Sequence, residues 1–129
     1  MFFHSYISAI PSGDKLVDRG NASDYDFRTG NLTKDGNWHE LDLSGIVGAG
    51  ARFVTLKVVA QTTTYRQSFY AKAIGYANDY NGFVIFTNVV DVDISGEFTL
   101  PLSIDKKIEY KTTPATWTAL SLIVLRWII

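Results

Sequence analysis

Two pairs of carboxylates are spaced so that they could hold a metal ion. Asp91 and Asp93 lie two residues apart, so on a strand both side chains would share one face. Two carboxylates on one face can bind Ca²⁺ if loop carbonyls complete the oxygen shell. Asp91 and Asp93 are therefore calcium candidates, although they could equally be solvated charges near the end of a hairpin. The same two interpretations apply to Asp24 and Asp26.

The residues needed for nucleophilic or metal-assisted catalysis are not grouped in this sequence. His4 and His39 are far apart, and neither has a partner at a metal-binding spacing. The chain has no cysteine, and no nucleophile elbow supports a Ser-His-Asp triad. His39 lies beside Leu41 and Leu43 on a predicted strand, which favours a partly buried, hydrogen-bonded histidine. We predict a protein that is not an enzyme, with no catalytic residue and no cofactor.

A group of tyrosines with asparagine and aspartate neighbours gives the strongest signal for ligand binding. Tyrosine rings offer flat, amphipathic faces to the apolar faces of sugars, and the amide and carboxylate groups can bind sugar hydroxyls. The same residues suit a protein contact, in which tyrosine is enriched, or a hairpin whose tyrosines pack on its own strands. The candidate carbohydrate-binding residues are Tyr65, Tyr76, Asn78, Asp79 and Tyr80.

Residues 44–50 form a glycine-rich stretch that superficially resembles a phosphate-binding loop. The stretch lacks the Gly-Lys-Ser/Thr ending of a P-loop, and its glycines do not fit the dinucleotide-binding fingerprint. We predict that it is a connector between two sheets.

Short alternating segments separated by turn signals predict an all-β protein. Two-residue hairpin turns are expected at 35–36, 81–82 and 95–96, where glycine follows Asp, Asn or Ser. Pro101 cannot donate to a ladder, so its strand should lie at a sheet edge or be broken there. The pattern predicts one domain, residues 1–129, folded as an antiparallel, jelly-roll-like β-sandwich of eight or nine strands. The predicted strands are residues 2–10, 24–28, 38–43, 51–60, 67–77, 83–94, 97–104, 108–111 and 116–129.

The last predicted strand has two apolar faces. Residues 116–129 contain six β-branched residues and two tryptophans, a composition typical of a strand, although the apolar spacing would also fit a helix. Strict alternation puts on one face Trp117, Ala119, Ser121, Ile123, Leu125, Trp127 and Ile129. It puts on the other Thr116, Thr118, Leu120, Leu122, Val124, Arg126 and Ile128.

A sandwich covers one face of such a strand, so the second face needs another partner. A second copy of the chain is the nearest candidate, and residues 1–14 are a candidate N-terminal arm that could lie on a neighbouring subunit. We therefore predict a homo-oligomer. The predicted self-association residues are Phe2, Phe3, Leu120, Leu122, Val124, Trp127 and Ile129.

The composition narrows the range of partners. The net charge is -1 and the pI about 6.0, so there is no electrostatic attraction to nucleic acid or to anionic lipid. Charged residues make up 19% of the chain, less than the usual quarter, which favours an oligomer. The N-terminus has no basic segment typical of a signal peptide, and the C-terminal apolar run is too short to span a bilayer. We expect neither nucleic acid nor a membrane as a partner.

Two parts of the chain carry a family resemblance. The residues that carry it are 35–44, 46–47, 50–51, 108–111, 116–118 and 127–129. Together they are similar to small β-sandwich domains of phage virion and tail-fibre proteins and of related metagenomic reading frames. The likeness extends over roughly residues 24–129.

The resemblance implies a jelly-roll-like domain that trimerises and forms a virion surface, fibre or receptor-binding part. It brings no catalytic residues. The expected function is that of a non-enzymatic structural protein located on a virion, as a capsid, decoration, head or tail-fibre component. Its expected partners are further copies of itself and other virion proteins. The alternative is a carbohydrate-binding or receptor-binding module that contacts a host-surface glycan.

Overall fold

The computed structural model describes residues 13–129. Phe2, Phe3, the predicted strand 2–10 and all but the last two residues of the predicted arm lie outside the described residues. Residues 13–129 contain two short 3₁₀ turns, Thr29–Asn31 and Asp79–Asn81, and no α-helix. Their eight strands are β1 (Leu16–Asp18), β2 (His39–Asp42), β3 (Phe53–Thr62), β4 (Gln67–Ala73), β5 (Phe83–Thr87), β6 (Ile94–Pro101), β7 (Lys107–Thr112) and β8 (Trp117–Ile128).

The eight strands form two antiparallel sheets of four. The first sheet has the order β1-β8-β3-β6 and the second has the order β2-β7-β4-β5. The chain crosses repeatedly between the sheets, which is the double Greek-key connectivity of a jelly roll. The predicted jelly-roll-like sandwich is therefore confirmed. Residues 44–50 connect β2 of the second sheet to β3 of the first, and β6, which ends at Pro101, is an edge strand, both as predicted.

The core lies between the inner faces of the two sheets. From the first sheet, Val54, Leu56 and Val58 alternate inward on β3 and are fully buried. From the second sheet, Phe69 on β4 and Ile108 on β7 meet them. Burying a side chain of this size contributes about 1.5–3 kcal/mol, so the alternation of these strands fixes which face of each sheet turns inward.

Two register shifts in the pairing of β8 with β3 change which β8 side chains face the core. The pairs run from Gln61↔Ala119 to Thr62↔Trp117 at one end, and from Leu56↔Val124 to Thr55↔Arg126 at the other. Thr118 and Leu125 are thus the extra residues of two β-bulges.

Each bulge reverses the strict alternation expected from the sequence. Directly paired residues share a face, and Trp127 pairs with the buried Val54 while Trp117 pairs with the buried Thr62. Both tryptophans therefore join Leu122 and its neighbours on the inner face, and the predicted division of β8 into two fixed faces is wrong.

An ion pair stabilises the bulge at Leu125. The Arg19 guanidinium pairs with the Asp26 carboxylate, whose side chain is only 8% exposed. Asp26 Oδ2 also accepts a hydrogen bond from Val124 N at 2.8 Å, and the Leu125 carbonyl accepts one from Arg19 N at 3.1 Å. The hydrogen bond from Arg19 to Asp26 is the main cause that raises the pKa of Arg19. These contacts satisfy backbone groups that the bulge would otherwise leave unpaired.

Several predicted turns and strands differ from the observed ones. β2 pairs with β7, so no hairpin forms at residues 35–36. Residues 24–28 contribute one isolated bridge, Phe27↔Leu122. β4 and β5 do form an antiparallel pair, but residues 74–82 connect them rather than a two-residue turn.

The predicted strand 83–94 and the turn at 95–96 are also wrong. β5 ends at Thr87, residues 88–93 cross to the other sheet, and β6 begins at Ile94 and runs through Ser95 and Gly96. Phe98 and Leu100 face inward as predicted, but Ile104 is 91% exposed because β6 has ended before it. Local turn propensity was overruled here by pairing with β3, which is distant in sequence.

Candidate functional site

The predicted tyrosine group is divided between opposite ends of the sandwich. Tyr65 lies in the β3–β4 turn, whereas Tyr76, Asn78, Asp79 and Tyr80 lie in the loop 74–82 that follows β4. The seven residues of β4 separate the two places by about 20 Å. Tyr65 therefore does not belong with the other four, which remain together on one exposed loop.

The outer face of the second sheet carries an aromatic and cationic cluster, which we call the Trp38 cluster. Its members are Trp38, which precedes β2, Tyr70 and Lys72 on β4, Lys111 on β7, and Asp79 from the loop. Tyr70 is paired directly with Lys111 across the sheet. Because Phe69, Ala71 and Ala73 alternate into the core, Tyr70 and Lys72 must point outward.

The aromatic rings and the two ammonium groups are in mutual contact. Lys72 Nζ lies 4.1 Å from the centre of the Trp38 ring, and Lys111 Nζ lies 4.9 Å from it. Lys111 Nζ is also 4.8 Å from the Tyr70 ring, and the Trp38 and Tyr70 rings meet edge to face with centres 6.2 Å apart. Cation–π contacts of this kind hold the lysines over the rings.

Asp79 connects the loop to this cluster. Its Oδ2 accepts a hydrogen bond from Lys111 Nζ at 2.9 Å, and its Oδ1 accepts one from Trp38 Nε1 at 3.2 Å. Lys72 Nζ lies 3.8 Å from Oδ1. The hydrogen bond from Lys111 is the main cause that lowers the pKa of Asp79, and the charge of Lys111, the Trp38 hydrogen bond and the charge of Lys72 act in the same direction.

Gly82 allows the loop to approach the second sheet. A Cβ at this position would lie 2.3 Å from the Ala71 carbonyl oxygen and 2.8 Å from Lys72 Cβ. Any other residue would therefore push the loop away from β4. The close approach helps to bring Asp79 over the lysines.

A shallow groove of about 400 Å³ lies on the other side of the loop, between the edge strands β5 and β6. Tyr76, which is 44% exposed, forms one wall. Asn81, Glu97 and Thr99 add polar groups, and Phe83 and Phe98, stacked with centres 4.7 Å apart, form its apolar base. The groove thus offers an aromatic wall beside hydrogen-bonding groups.

The predicted calcium pair does not lie on a strand. Asp91 and Asp93 belong to the exposed connection 88–93, and Asp91 has a positive φ of 59°. Within residues 13–129, no three side chains among His, Cys, Asp and Glu are grouped so that they could hold a metal. Both carboxylates are exposed beside a turn, and Asp26 of the other pair is bound by Arg19.

His39 is hydrogen-bonded and partly buried, as predicted. Its Nε2 lies 2.8 Å from Asp35 Oδ1, and its ring packs against Tyr110 with centres 5.8 Å apart. The hydrogen bond with His39 is the main cause that lowers the pKa of Asp35. The contact has a structural role at the start of β2.

The described residues of the predicted self-association set belong to the subunit itself. Leu120, Leu122 and Val124 are fully buried between the two sheets of one chain. Trp127 packs against the same core from the inner face, and Ile129 is partly buried beside Gly50. These five side chains build the core of a single subunit rather than a free surface.

One group of exposed apolar side chains lies at one end of the sandwich, which we call the valine end. It consists of the turn 63–66 and the loop 88–93, joined by hydrogen bonds from Asp91 N to Thr62 O and from Arg66 N to Thr87 O. Between about two-fifths and three-fifths of each of its large apolar side chains is exposed. These side chains are Tyr65, Val89, Val90 and Val92.

No protein-family model matches the chain, and no curated protein matches it. Residues 13–129 include no helix with the length and apolar character needed to cross a membrane.

Sequence reasoning found Asp79 but missed the three residues that contact its carboxylate, Trp38, Lys72 and Lys111. The alternation of Tyr70 and Lys72 with small and apolar residues in β4 indicates that both face outward. Which residues of other strands would stand beside them depends on the strand order, which the alternation does not give.

Proposed function

We propose that the protein is a non-enzymatic structural component of a virus particle, a jelly roll that assembles with further copies of itself as a trimer and with other virion proteins. Jelly rolls serve in viral capsids and in lectins, and the resemblance to phage virion domains supports the first use. The fold alone does not decide function.

The valine end is the observation that carries this proposal. Three valines and a tyrosine are exposed on adjoining loops, and exposed apolar side chains grouped on one surface are typical of a protein–protein contact. The side chains of β8 that form the core could contact another subunit only if the protein unfolded. We therefore place the self-association surface on these loops rather than on β8. The number of three subunits is what the resemblance to phage virion domains implies.

Light scattering after size-exclusion chromatography tests the proposal. We expect the wild type to have the mass of three 14.4 kDa chains, and the double variant Val89→Asp, Val92→Asp to run as a folded monomer. The matched control is Ile104→Asp, because Ile104 is more exposed than either valine but lies in the β6–β7 turn. A wild type that stays monomeric at micromolar concentration would contradict the proposal.

A second candidate function is carbohydrate binding, and the loop 74–82 favours it. This loop has the Tyr76 groove on one side and the Trp38 cluster on the other. Tyr80, 80% exposed at its tip, adds a further aromatic face. Aromatic surfaces beside paired polar groups fit the alternating apolar and hydroxyl faces of sugar rings.

A glycan array tests this second function. Tyr76→Ala and Tyr80→Ala should each reduce glycan binding, whereas Tyr65→Ala should not, because Tyr65 lies at the other end of β4. Glycan binding that survives both loop substitutions would rule out this surface.

A further inference from the structure

Lys72 is the one charged residue that the described part of the chain buries, with 6% of its side chain exposed. Its ammonium group lies on the outer face of the second sheet, against the Trp38 ring. The described residues give Lys72 Nζ no hydrogen bond, and Asp79 Oδ1, at 3.8 Å, is its ion-pair partner. The Nζ atom itself keeps contact with solvent, because Thr112 Oγ1 is the one buried side-chain polar atom without a partner among residues 13–129. Lys72 Nζ therefore has donor capacity that Asp79 does not fill and that a ligand could reach.

The hydrogen-bond donors of this site lie on the second sheet or at its border, whereas the acceptor, the Asp79 carboxylate, lies on a loop. Trp38, Lys72 and Lys111 are held by the sheet and by each other's rings and charges. The carboxylate is supplied by Asp79, whose side chain is 49% exposed on a three-residue turn. The sheet thus forms a carboxylate receptor, and the loop places its own carboxylate in it.

Among the described residues, the other carboxylates near Lys72 and Lys111 do not form ion pairs with these two lysines. Glu109 is paired directly with Lys72 across the sheet and also with Glu40. Glu40 is bound by Lys107 at 3.2 Å. Among the described residues, Glu109 forms no ion pair with Lys72 or with Lys111.

We propose that the Trp38 cluster binds the carboxylate of an acidic sugar, which takes the place of the Asp79 side chain between Lys72, Lys111 and Trp38 Nε1. The aromatic rings recognise the sugar ring, and the two ammonium groups distinguish a uronic acid from its neutral counterpart. This inference rests on the carbohydrate-binding function proposed above and names its ligand class. Asp79 acts as an internal competitor whose release opens the site.

Calorimetric titration with glucuronate and with glucose tests the inference, because the two sugars differ at the C6 carboxylate. Removing the competitor in Asp79→Ala should tighten glucuronate binding by about tenfold, the equivalent of one hydrogen bond to a charged group. The ratio of glucuronate affinity to glucose affinity should rise by the same factor, because glucose has no carboxylate to take the freed position. Adding Lys111→Gln to Asp79→Ala should abolish the gain, and raising the salt concentration should weaken it.

Asp105→Ala is the matched control, because Asp105 is an exposed carboxylate in the β6–β7 turn. It should leave the affinity for both sugars unchanged, and circular dichroism should show that every variant is folded. Equal glucuronate affinity of wild type and Asp79→Ala would overturn the inference. That result would leave the carbohydrate-binding function standing if the array still shows glycan binding that depends on Tyr76.

Discussion

The two ends of the sandwich differ in the side chains that their loops present. At the valine end, the apolar side chains of Val89, Val90 and Val92 are exposed. At the other end, the carboxylate of Asp79 is bound by Trp38 and Lys111, side chains from the face of the second sheet. This difference is the basis of our two proposals, a partner protein at one end and a small polar ligand at the other. A subunit attached to a particle through its valine end would keep the loop 74–82 facing outward.

Gly82→Ala should have the largest effect, and it acts at the ligand end. The new Cβ would clash with the Ala71 carbonyl, a backbone atom that cannot move aside easily. We expect a loss of about 3 kcal/mol in the free energy of unfolding, measured by urea denaturation. Gly45→Ala is the control, because nothing lies near that Cβ. If both variants unfold at the same urea concentration, the loop is not held against the sheet.

Thr87→Val tests the valine end and should have a somewhat smaller effect. Thr87 Oγ1 accepts hydrogen bonds from Thr62 Oγ1 at 2.7 Å and from Gln67 N at 3.0 Å. Valine keeps the shape but removes the side-chain acceptor of Gln67 N, whereas Thr62 Oγ1 can still donate to the Thr64 carbonyl at 2.7 Å. Stability should therefore fall by about 2 kcal/mol. The same denaturation measurement applies, with the exposed Thr63→Val as control. An unchanged midpoint for Thr87→Val would show that this pair does not support the valine-bearing loop.

Acid should release Asp79 without unfolding the valine end. The pKa of Asp79 is lowered in the folded protein, so its contacts stabilise the fold above the carboxyl's ordinary pKa. They are lost as the pH falls through the folded value, which means below about pH 4. The Trp38 indole N–H signal in an NMR titration should shift in this range. The Trp117 indole, bound to the Thr113 carbonyl, is the internal control, and a Trp38 signal that does not titrate would contradict the Asp79 contact.

The smallest effect is expected for Tyr80→Ala on stability. Tyr80 is 80% exposed, and surface substitutions of this kind usually change stability by less than about 0.5 kcal/mol. Thermal unfolding should be unchanged while glycan binding falls. A large drop in the melting temperature would instead show that the ring packs on the protein's own loop.

Local periodicity allowed most strands to be predicted from the sequence. The alternation in β3, in β7 and in the second half of β6 depends on residues close in sequence, so the all-β class and the jelly-roll-like sandwich followed from it. The connector 44–50, the edge position of Pro101 and the paired state of His39 were predicted for the same reason.

The faces of β8 and the composition of the candidate site could be decided only by the tertiary structure. Two bulges move Trp117 and Trp127 to the inner face, and they arise from pairing with β3, more than fifty residues away. Trp38, Lys72, Lys111 and Asp79 meet because β2, β4 and β7 become neighbours in one sheet. Most strand segments follow from neighbouring residues alone, except β1 and the start of β6, where pairing with distant strands decided the outcome. Which strands pair, and in which register, depends on packing the whole core, and this placed the apolar surface and the carboxylate site at opposite ends.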